Sequence, residues 1–69
     1  MFTVGEFSKI AQVAKRLLRY YDQMRLFSPE NVDDWTGYRS YSTHQLPQLN
    51  CILALKELGL SLEQIRLML

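Results

Sequence analysis

The side chains best suited to bind a polyanion are the cations in the stretch "KRLLRYYDQM", which begins at Lys15. On a helix, Lys15, Arg16 and Arg19 project to one side, whereas the apolar residues lie within an arc of about 160° on the other. Tyr20 and Tyr21 both lie toward the apolar arc, one at its centre and one nearer its flank. These three cations, termed the basic ridge, can contact guanine edges or phosphates, and a solvated charged face is the alternative.

A second group of aromatic and cationic residues lies in the stretch "NVDDWTGYRSYS". Its β-forming residues flank a turn that contains glycine, which predicts a hairpin over about residues 31–41. The second strand carries Tyr38, Arg39 and Tyr41, which can contact the sugar–phosphate backbone beside the basic ridge. For these two tyrosines, packing in the core is an equal alternative. Trp35, at the tip of the hairpin, either contacts a ligand or folds back onto the helices.

Residue types that support catalysis or metal binding are scarce. Cys51 and His44 are the only cysteine and the only histidine, so the chain can form neither an internal disulfide nor a zinc site of Cys and His ligands. We expect Cys51 to be a buried thiol and His44 to be an ordinary surface residue. Asp33 and Asp34 suit a turn better than an active site. No phosphate-binding loop or nucleophile motif occurs, so the sequence predicts neither an enzyme nor a cofactor.

The charge is divided unevenly along the 69 residues. Residues 1–28 carry five Lys or Arg and two Asp or Glu, a net charge of +3, whereas residues 29–69 carry three and five, a net charge of −2. A positive half suits a domain that turns one face to a polyanion. No apolar run approaches the roughly 20 residues of a membrane span, and the first residues lack the features of a signal peptide. We therefore expect a cytoplasmic protein without a membrane partner.

Helix start signals divide the chain into its elements. Three Ser or Thr residues are followed three positions later by Glu or Gln, the spacing of a capping box: Thr3–Glu6, Ser42–Gln45 and Ser61–Gln64. The pattern predicts a helix-turn-helix over about residues 4–24, with a break near residues 11–13, and further helices over about residues 43–58 and 62–69. Phe7 and Ile10 should face inward, and the apolar third helix should be contacted on several sides. This order predicts a mostly α fold, the winged helix-turn-helix.

Two features depart from regular helices. Pro47 falls beyond the first turn of the third helix if Ser42 is its cap, so either the cap is Thr43 or the first turn is distorted. The last helix ends in the apolar stretch "IRLML". From this ending we expect either a segment of a longer protein or a final helix that packs on a partner.

Four stretches in this order resemble the DNA-binding domain of the MerR family of bacterial transcription regulators: "TVGEFSKIA", "RLLRYYDQMRLFSP", "VDDWTGYRSYS" and "ALKELGLSLEQIRLML". The resemblance covers essentially the whole chain. It implies a homodimer on pseudo-palindromic promoter DNA, joined by a long helix that follows this segment. It also implies an indirect action on RNA polymerase, through bending and untwisting of an overlong promoter spacer once an effector binds.

The resemblance also implies roles for individual residues. By position, Arg16, Arg19 and Tyr21 match the helix-turn-helix contacts of the family, and Tyr38 and Arg39 match its wing contacts. Lys15 and Tyr20 are plausible additions, and Tyr41 is a weaker one.

The sequence departs from the family pattern around the second helix. Gln12 and Arg25 stand where glycines are usual, Ala14 stands where a Ser or Thr N-cap is usual, and Leu17 replaces a polar residue. The loss of such a cap costs about 1 kcal/mol, and a left-handed cap at Arg25 would be strained or absent. We therefore expect this chain to retain the family fold but to prefer different bases from those that its relatives prefer. Two alternatives stay open: an excisionase-like architectural DNA-binding protein and a protein-interaction winged helix.

Overall fold

The computed structural model describes residues 1–69 and contains four α-helices, three short strands and one 3₁₀ turn. In chain order these are β1 (Phe2–Thr3), α1 (Val4–Ala11), α2 (Lys15–Gln23), β2 (Asn31–Val32), β3 (Arg39–Tyr41), the 3₁₀ turn (Thr43–Gln45), α3 (Leu46–Glu57) and α4 (Leu62–Met68). The mostly α, winged helix-turn-helix architecture predicted from the sequence is confirmed. None of the helices combines the length and the apolar composition that a membrane span requires.

The small sheet has one strand more than the sequence predicts. Its order is β1-β3-β2, and both pairings are antiparallel. In β1, Phe2 pairs with Tyr41 and Thr3 with Ser40, so the start of the chain is tied to the root of the hairpin. The predicted hairpin is the β2–β3 pair, termed the wing from here on, in which Val32 pairs with Arg39. A strand of two residues is too short to show a hydrophobic period, which is why the sequence did not reveal β1.

Capping hydrogen bonds define the start of two helices. At α1, the Thr3 Oγ1 accepts from the Glu6 N–H at 3.1 Å, and the Glu6 Oε1 accepts from the Thr3 N–H at 2.9 Å. These bonds stabilise the Glu6 carboxylate and lower its pKa. Ser61 and Gln64 form the same reciprocal pair at the start of α4. Both helices therefore start where their capping sequences predict.

The start of α3 shows how Pro47 is accommodated. Gln45 Oε1 accepts from the Ser42 N–H at 3.1 Å, but the buried Ser42 hydroxyl has no partner, so only half of the predicted box forms. The first turn is the 3₁₀ turn, and α3 itself begins at Leu46. Pro47 thus lies in the first turn of the α-helix, where its missing N–H is not needed. Of the two alternatives, the distorted first turn is the one observed, and the helix predicted over about residues 43–58 is divided into the 3₁₀ turn and α3.

Three stacked aromatic rings lie at the centre of the hydrophobic core. The ring centroid of Tyr41 lies 4.6 Å from that of Phe7 and 5.8 Å from that of Phe27, with an interplanar angle of 14° in both pairs. Six further residues complete the core: Leu18, Tyr21, Leu26, Leu49, Ile52 and Ile65. Because these residues come from α1, α2, the segment after α2, β3, α3 and α4, a single core joins all of these elements.

Two predictions of burial on helices are wrong. Ile10 is 45% exposed, because Phe7 and Ser8 are the residues that α1 turns inward. On α3 only Leu49 and Ile52 are fully buried, and Cys51 is exposed rather than the expected buried thiol. The α3 helix is therefore covered mainly on one side. An apolar residue on a helix that is apolar all round has no periodic signal that assigns it to the core.

We expect Phe7→Leu to lower the free energy of unfolding by about 1–2 kcal/mol, because it removes one ring from the stack and leaves a cavity. Ile10→Ala, on the exposed side of the same helix, should change it by less than about 0.5 kcal/mol. Urea denaturation followed by circular dichroism measures both. Equal losses in the two variants would contradict the position of the core.

Candidate nucleic-acid interface

The cations of the basic ridge lie on the outer face of α2. Lys15, Arg16 and Arg19 are all exposed, whereas Leu18 is fully buried on the inner face. The chain contains two ion pairs, Arg39–Asp22 and Arg66–Glu63, and neither involves the ridge. The ridge therefore presents three cationic side chains whose charge no acidic partner offsets, on a helix that is anchored from behind.

The two tyrosines of α2 have different environments, although their ring centroids are only 6.3 Å apart. Tyr20 is about half exposed and extends the outer face. Tyr21 is 3% exposed, and desolvation by this burial raises the pKa of its hydroxyl. The ring of Tyr21 thus packs in the core beneath the ridge, and its contact with DNA stays a prediction.

The first turn of α2 leaves backbone donors free. Ala14 is the N-cap and offers no side-chain acceptor. The first N–H groups of the helix therefore lack a side-chain partner and lie beside Lys15 and Arg16. Free amides together with cations at a helix N-terminus suit a phosphate group.

Residues in the left-handed conformation flank α2 at both ends, although neither is glycine. Gln12 has φ 58° and Arg25 has φ 56°. The left-handed turns form nevertheless: the Val13 N–H donates to the Ser8 carbonyl at 3.0 Å, and the Leu26 N–H donates to the Tyr21 carbonyl at 2.9 Å. A left-handed cap is thus present at Arg25. For an L-residue this conformation is strained by about 1–2 kcal/mol.

The loop of the wing is held by its own hydrogen bonds. Asp33 Oδ1 accepts from the N–H groups of Trp35 at 2.8 Å and of Thr36 at 3.0 Å, and these bonds lower the pKa of Asp33. Gly37 has φ 73°, a conformation that glycine adopts without strain. Trp35 is 96% exposed, so it does not fold back onto the helices, and Tyr38 is 75% exposed. The wing therefore presents two aromatic rings to solvent.

The other two predicted residues of the wing are engaged within the protein. Arg39 Nη1 donates to Asp22 Oδ2 in an ion pair between β3 and α2. Tyr41 is 2% exposed and stacks in the core, where desolvation raises the pKa of its hydroxyl. The alternative role of Tyr41, packing in the core, is therefore observed, and its contact with DNA stays a prediction.

A groove of about 510 Å³ separates α2 from the wing. It is lined by Thr3, Val4, Arg19, Gln23, Gly37, Tyr38, Arg39 and Tyr41. Sequence reasoning did not name Gln23 or Thr3 as interface residues, since only the tertiary fold brings them to this groove. The arrangement places hydrogen-bond donors of α2 on one wall and an exposed ring of the wing on the other. Elsewhere, no group of three or more His, Cys, Asp or Glu side chains is placed to hold a metal ion.

A family model described as "MerR HTH family regulatory protein" matches residues 2–69. The chain is 48% identical over 65 residues to the multidrug-efflux transporter 2 regulator of Bacillus subtilis, covering 94% of this chain and 23% of that protein. It spans about a quarter of the length of the first curated relatives it matches.

Solved structures of DNA complexes share this fold. The cryo-EM structure of an EcmrR–DNA complex matches with a TM-score of 0.86 and 35% identity, covering 91% of this chain and 24% of that one. The crystal structure of HiNmlR, a MerR family regulator lacking the sensor domain, bound to promoter DNA, matches with a TM-score of 0.80 and 29% identity, covering 94% and 51%.

We expect Gln12→Gly to raise the free energy of unfolding by about 0.5–1 kcal/mol, because relief of the left-handed strain exceeds the added backbone entropy of the unfolded chain. Ala54→Gly, at an exposed position inside α3, should lower it by about 1 kcal/mol. Thermal unfolding of both variants measures the difference. A loss of stability in Gln12→Gly as large as that in Ala54→Gly would contradict the strain at the turn.

Proposed function

Because this chain belongs to the MerR family of helix-turn-helix regulatory proteins, we propose that it is the DNA-binding module of a transcription regulator that recognises promoter DNA through α2 and the wing. The observation that carries the proposal is the basic ridge, three exposed cations without acidic partners on a helix fixed to the core. Its free charge suits the phosphates of a duplex, and its outward direction suits entry of α2 into the major groove.

The ridge and the wing have different roles in this proposal. Arg16 and Arg19 contact base edges or phosphates in the major groove, with Lys15 and the exposed Tyr20 beside them. A bidentate arginine contact to guanine discriminates between bases by about 1–3 kcal/mol. Tyr38, across the groove from Arg19, contacts the sugar–phosphate backbone beside the recognition site. Contacts to phosphate fix the register of the protein on the duplex, and contacts to bases give the sequence preference.

The relatives support a role in transcription. HiNmlR was solved on promoter DNA, and EcmrR was solved as a DNA complex. We extend this to a regulator that binds a pseudo-palindromic promoter as a homodimer in the cytoplasm and acts on RNA polymerase indirectly. We further propose that the dimerisation helix and the effector site lie outside residues 1–69, a division supported by the fact that this chain spans about a quarter of the length of its first curated relatives. The proposed activity is binding, without catalysis or a cofactor.

We expect Arg16→Ala and Arg19→Ala each to weaken binding about 5- to 100-fold, the range that a loss of about 1–3 kcal/mol gives. The probe is a duplex selected by this chain from a random-sequence pool, titrated in a mobility-shift assay at several salt concentrations. Because both side chains are exposed, the unfolding midpoint should not change.

Arg19→Lys serves as the matched control, because it keeps the charge and loses the bidentate donor geometry. It should retain the salt dependence and lose part of the preference for the selected sequence over an unrelated one. Unchanged affinity in both alanine variants would remove the proposed recognition surface. Affinity that does not change with salt would favour the protein-interaction alternative instead.

A further inference from the structure

The ion pair between Asp22 and Arg39 is the only one that joins the recognition helix α2 to the wing. The other ion pair, Arg66–Glu63, lies within α4 at 3.9 Å. The Asp22 side chain is 17% exposed and that of Arg39 is 54% exposed, so the pair lies partly sheltered beside the groove. A charge-assisted hydrogen bond of this kind is stronger than one between neutral groups.

The wing has few other attachments to α2. Its strands are only two and three residues long, and a hairpin of this size is marginal by itself. At its root, Tyr41 packs in the core and Ser40 pairs with Thr3 of β1. Toward its tip, Val32 and Tyr38 are exposed. Of the side chains in the outer part of the wing, Arg39 is therefore the one that is bonded to the recognition helix.

The same contact changes the charge available to a ligand. Arg39 is the only cation of the wing, and its charge is offset by Asp22. Asp22 is the only acid on α2, and it bonds to the wing rather than to Arg19 one turn earlier. Without Asp22, Arg19 and Arg39 would line the same groove as two uncompensated like charges, which repel one another.

We propose that Asp22 and Arg39 are positioning residues, which fix the wing at a set distance from α2 so that Tyr38 and the basic ridge meet one duplex in register. This inference rests on the proposed function. In this inference, Arg39 acts through its ion pair with Asp22 and does not contact a phosphate. The alternative, Arg39 as a direct phosphate contact, predicts the opposite effect of removing Asp22, because an acid that competes with the phosphate would be lost.

The test is a double-mutant cycle of Asp22→Asn and Arg39→Gln, titrated with the selected duplex at several salt concentrations. We expect each single variant to weaken binding about tenfold, the size that coupled residues typically show, and the double variant to be no weaker than either. The slope of log affinity against log salt should not change in Arg39→Gln, since no phosphate contact is lost. Circular dichroism at the assay temperature verifies that each variant is folded.

Asp34→Asn is the matched control, because Asp34 is an exposed acid of the wing without an ion-pair partner. It should leave binding unchanged or strengthen it slightly. Any one of three results would overturn the inference. These are tighter binding by Asp22→Asn, additive losses in the double-mutant cycle, and a salt slope that falls by about one phosphate in Arg39→Gln. Failure of the proposed function would give a different result from failure of this inference, because Arg16→Ala and Arg19→Ala would then leave the affinity for DNA unchanged.

A separate observation concerns Trp35, the only tryptophan of the chain and its most exposed large hydrophobic residue. Exposed tryptophans are uncommon in soluble proteins, since the ring buries a large apolar area when it finds a partner. The loop that carries it is ordered by the bonds to Asp33, by the Gly37 N–H that donates to the Asp33 carbonyl at 2.8 Å, and by the Tyr38 N–H that donates to Thr36 Oγ1 at 3.2 Å. An ordered loop of this kind loses little backbone entropy on binding.

We infer that Trp35 is a further DNA contact, packing its indole on the deoxyribose or base edges beside the segment that α2 occupies. Trp35 lies three residues before Tyr38, which lines the same groove as Arg19, so its ring continues the proposed interface. The carboxylate of Asp34, which is exposed in the neighbouring residue, disfavours a phosphate as the partner of the indole by like-charge repulsion. This inference also rests on the proposed function.

Fluorescence tests it directly, because all tryptophan emission comes from Trp35. On saturation with the selected duplex, the emission should shift to shorter wavelength and quenching by acrylamide should fall about two-fold or more, as expected when an exposed indole is buried. Trp35→Ala should weaken binding about 5- to 10-fold, within the range measured for loss of aromatic contacts to nucleic acid, and the salt slope should not change.

Unchanged emission and quenching in a duplex complex that still depends on Arg16 would overturn the role of Trp35 alone. Protection of the indole by an oligolysine peptide, and not by the duplex, would also overturn the DNA contact of Trp35. It would indicate that the acidic loop of the wing, with Asp33 and Asp34, binds a basic protein partner.

Discussion

The stack of Phe7, Tyr41 and Phe27 is the packing contact on which the geometry of the interface depends. The three rings come from α1, from β3 and from the segment after α2, with centroid distances of 4.6 Å and 5.8 Å to the central Tyr41. Tyr41 also ends β3 and pairs with Phe2 of β1, so the root of the wing is part of the core. Because protein interiors are close-packed, a shift of one ring displaces its neighbours. The core therefore sets the position of the wing root relative to the helix-turn-helix.

On α2, burial and charge are separated onto opposite faces. Leu18 and Tyr21 supply the buried face, and the basic ridge supplies the exposed one. The only acid of the helix, Asp22, bonds to Arg39, so it does not lower the charge of the ridge by direct pairing. Although the net charge of the whole chain is only +1, the outer surface of α2 is distinctly positive. Such a local field, and not the net charge, steers association with a polyanion.

Local signals predicted the order and type of the helices, because capping boxes and turn residues act over three or four positions. The capping boxes at Thr3 and Ser61 are the clearest cases. The sequence did not predict the long-range contacts. The pairing of β1, the burial of Tyr41 and the bond of Arg39 to Asp22, 17 residues away, depend on the assembled fold. The predicted burial of Cys51 and Ile10 was wrong for a related reason, since an apolar side chain is buried only if another element covers its face. For the interface, the direction of the ridge cations followed from helical geometry, whereas the separate roles of Tyr20 and Tyr21 required the core.

The recognition helix is held mainly by contacts with the rest of the fold. Helices α1 and α4 have side-chain caps, but the N-cap of α2, Ala14, offers none. Two non-glycine residues in the left-handed conformation flank α2. Short helices with weak local signals depend on tertiary packing for their stability. Here that packing comes from Leu18 and Tyr21 in the core and from Arg66 of α4, whose Nη1 donates to the Met24 carbonyl at the end of α2 at 3.2 Å. Residues far from the ridge therefore fix its direction, while the ridge supplies the side chains that the proposed function assigns to the duplex. This division explains how α2 can depart from the family pattern at both of its ends and still retain the position that DNA binding requires.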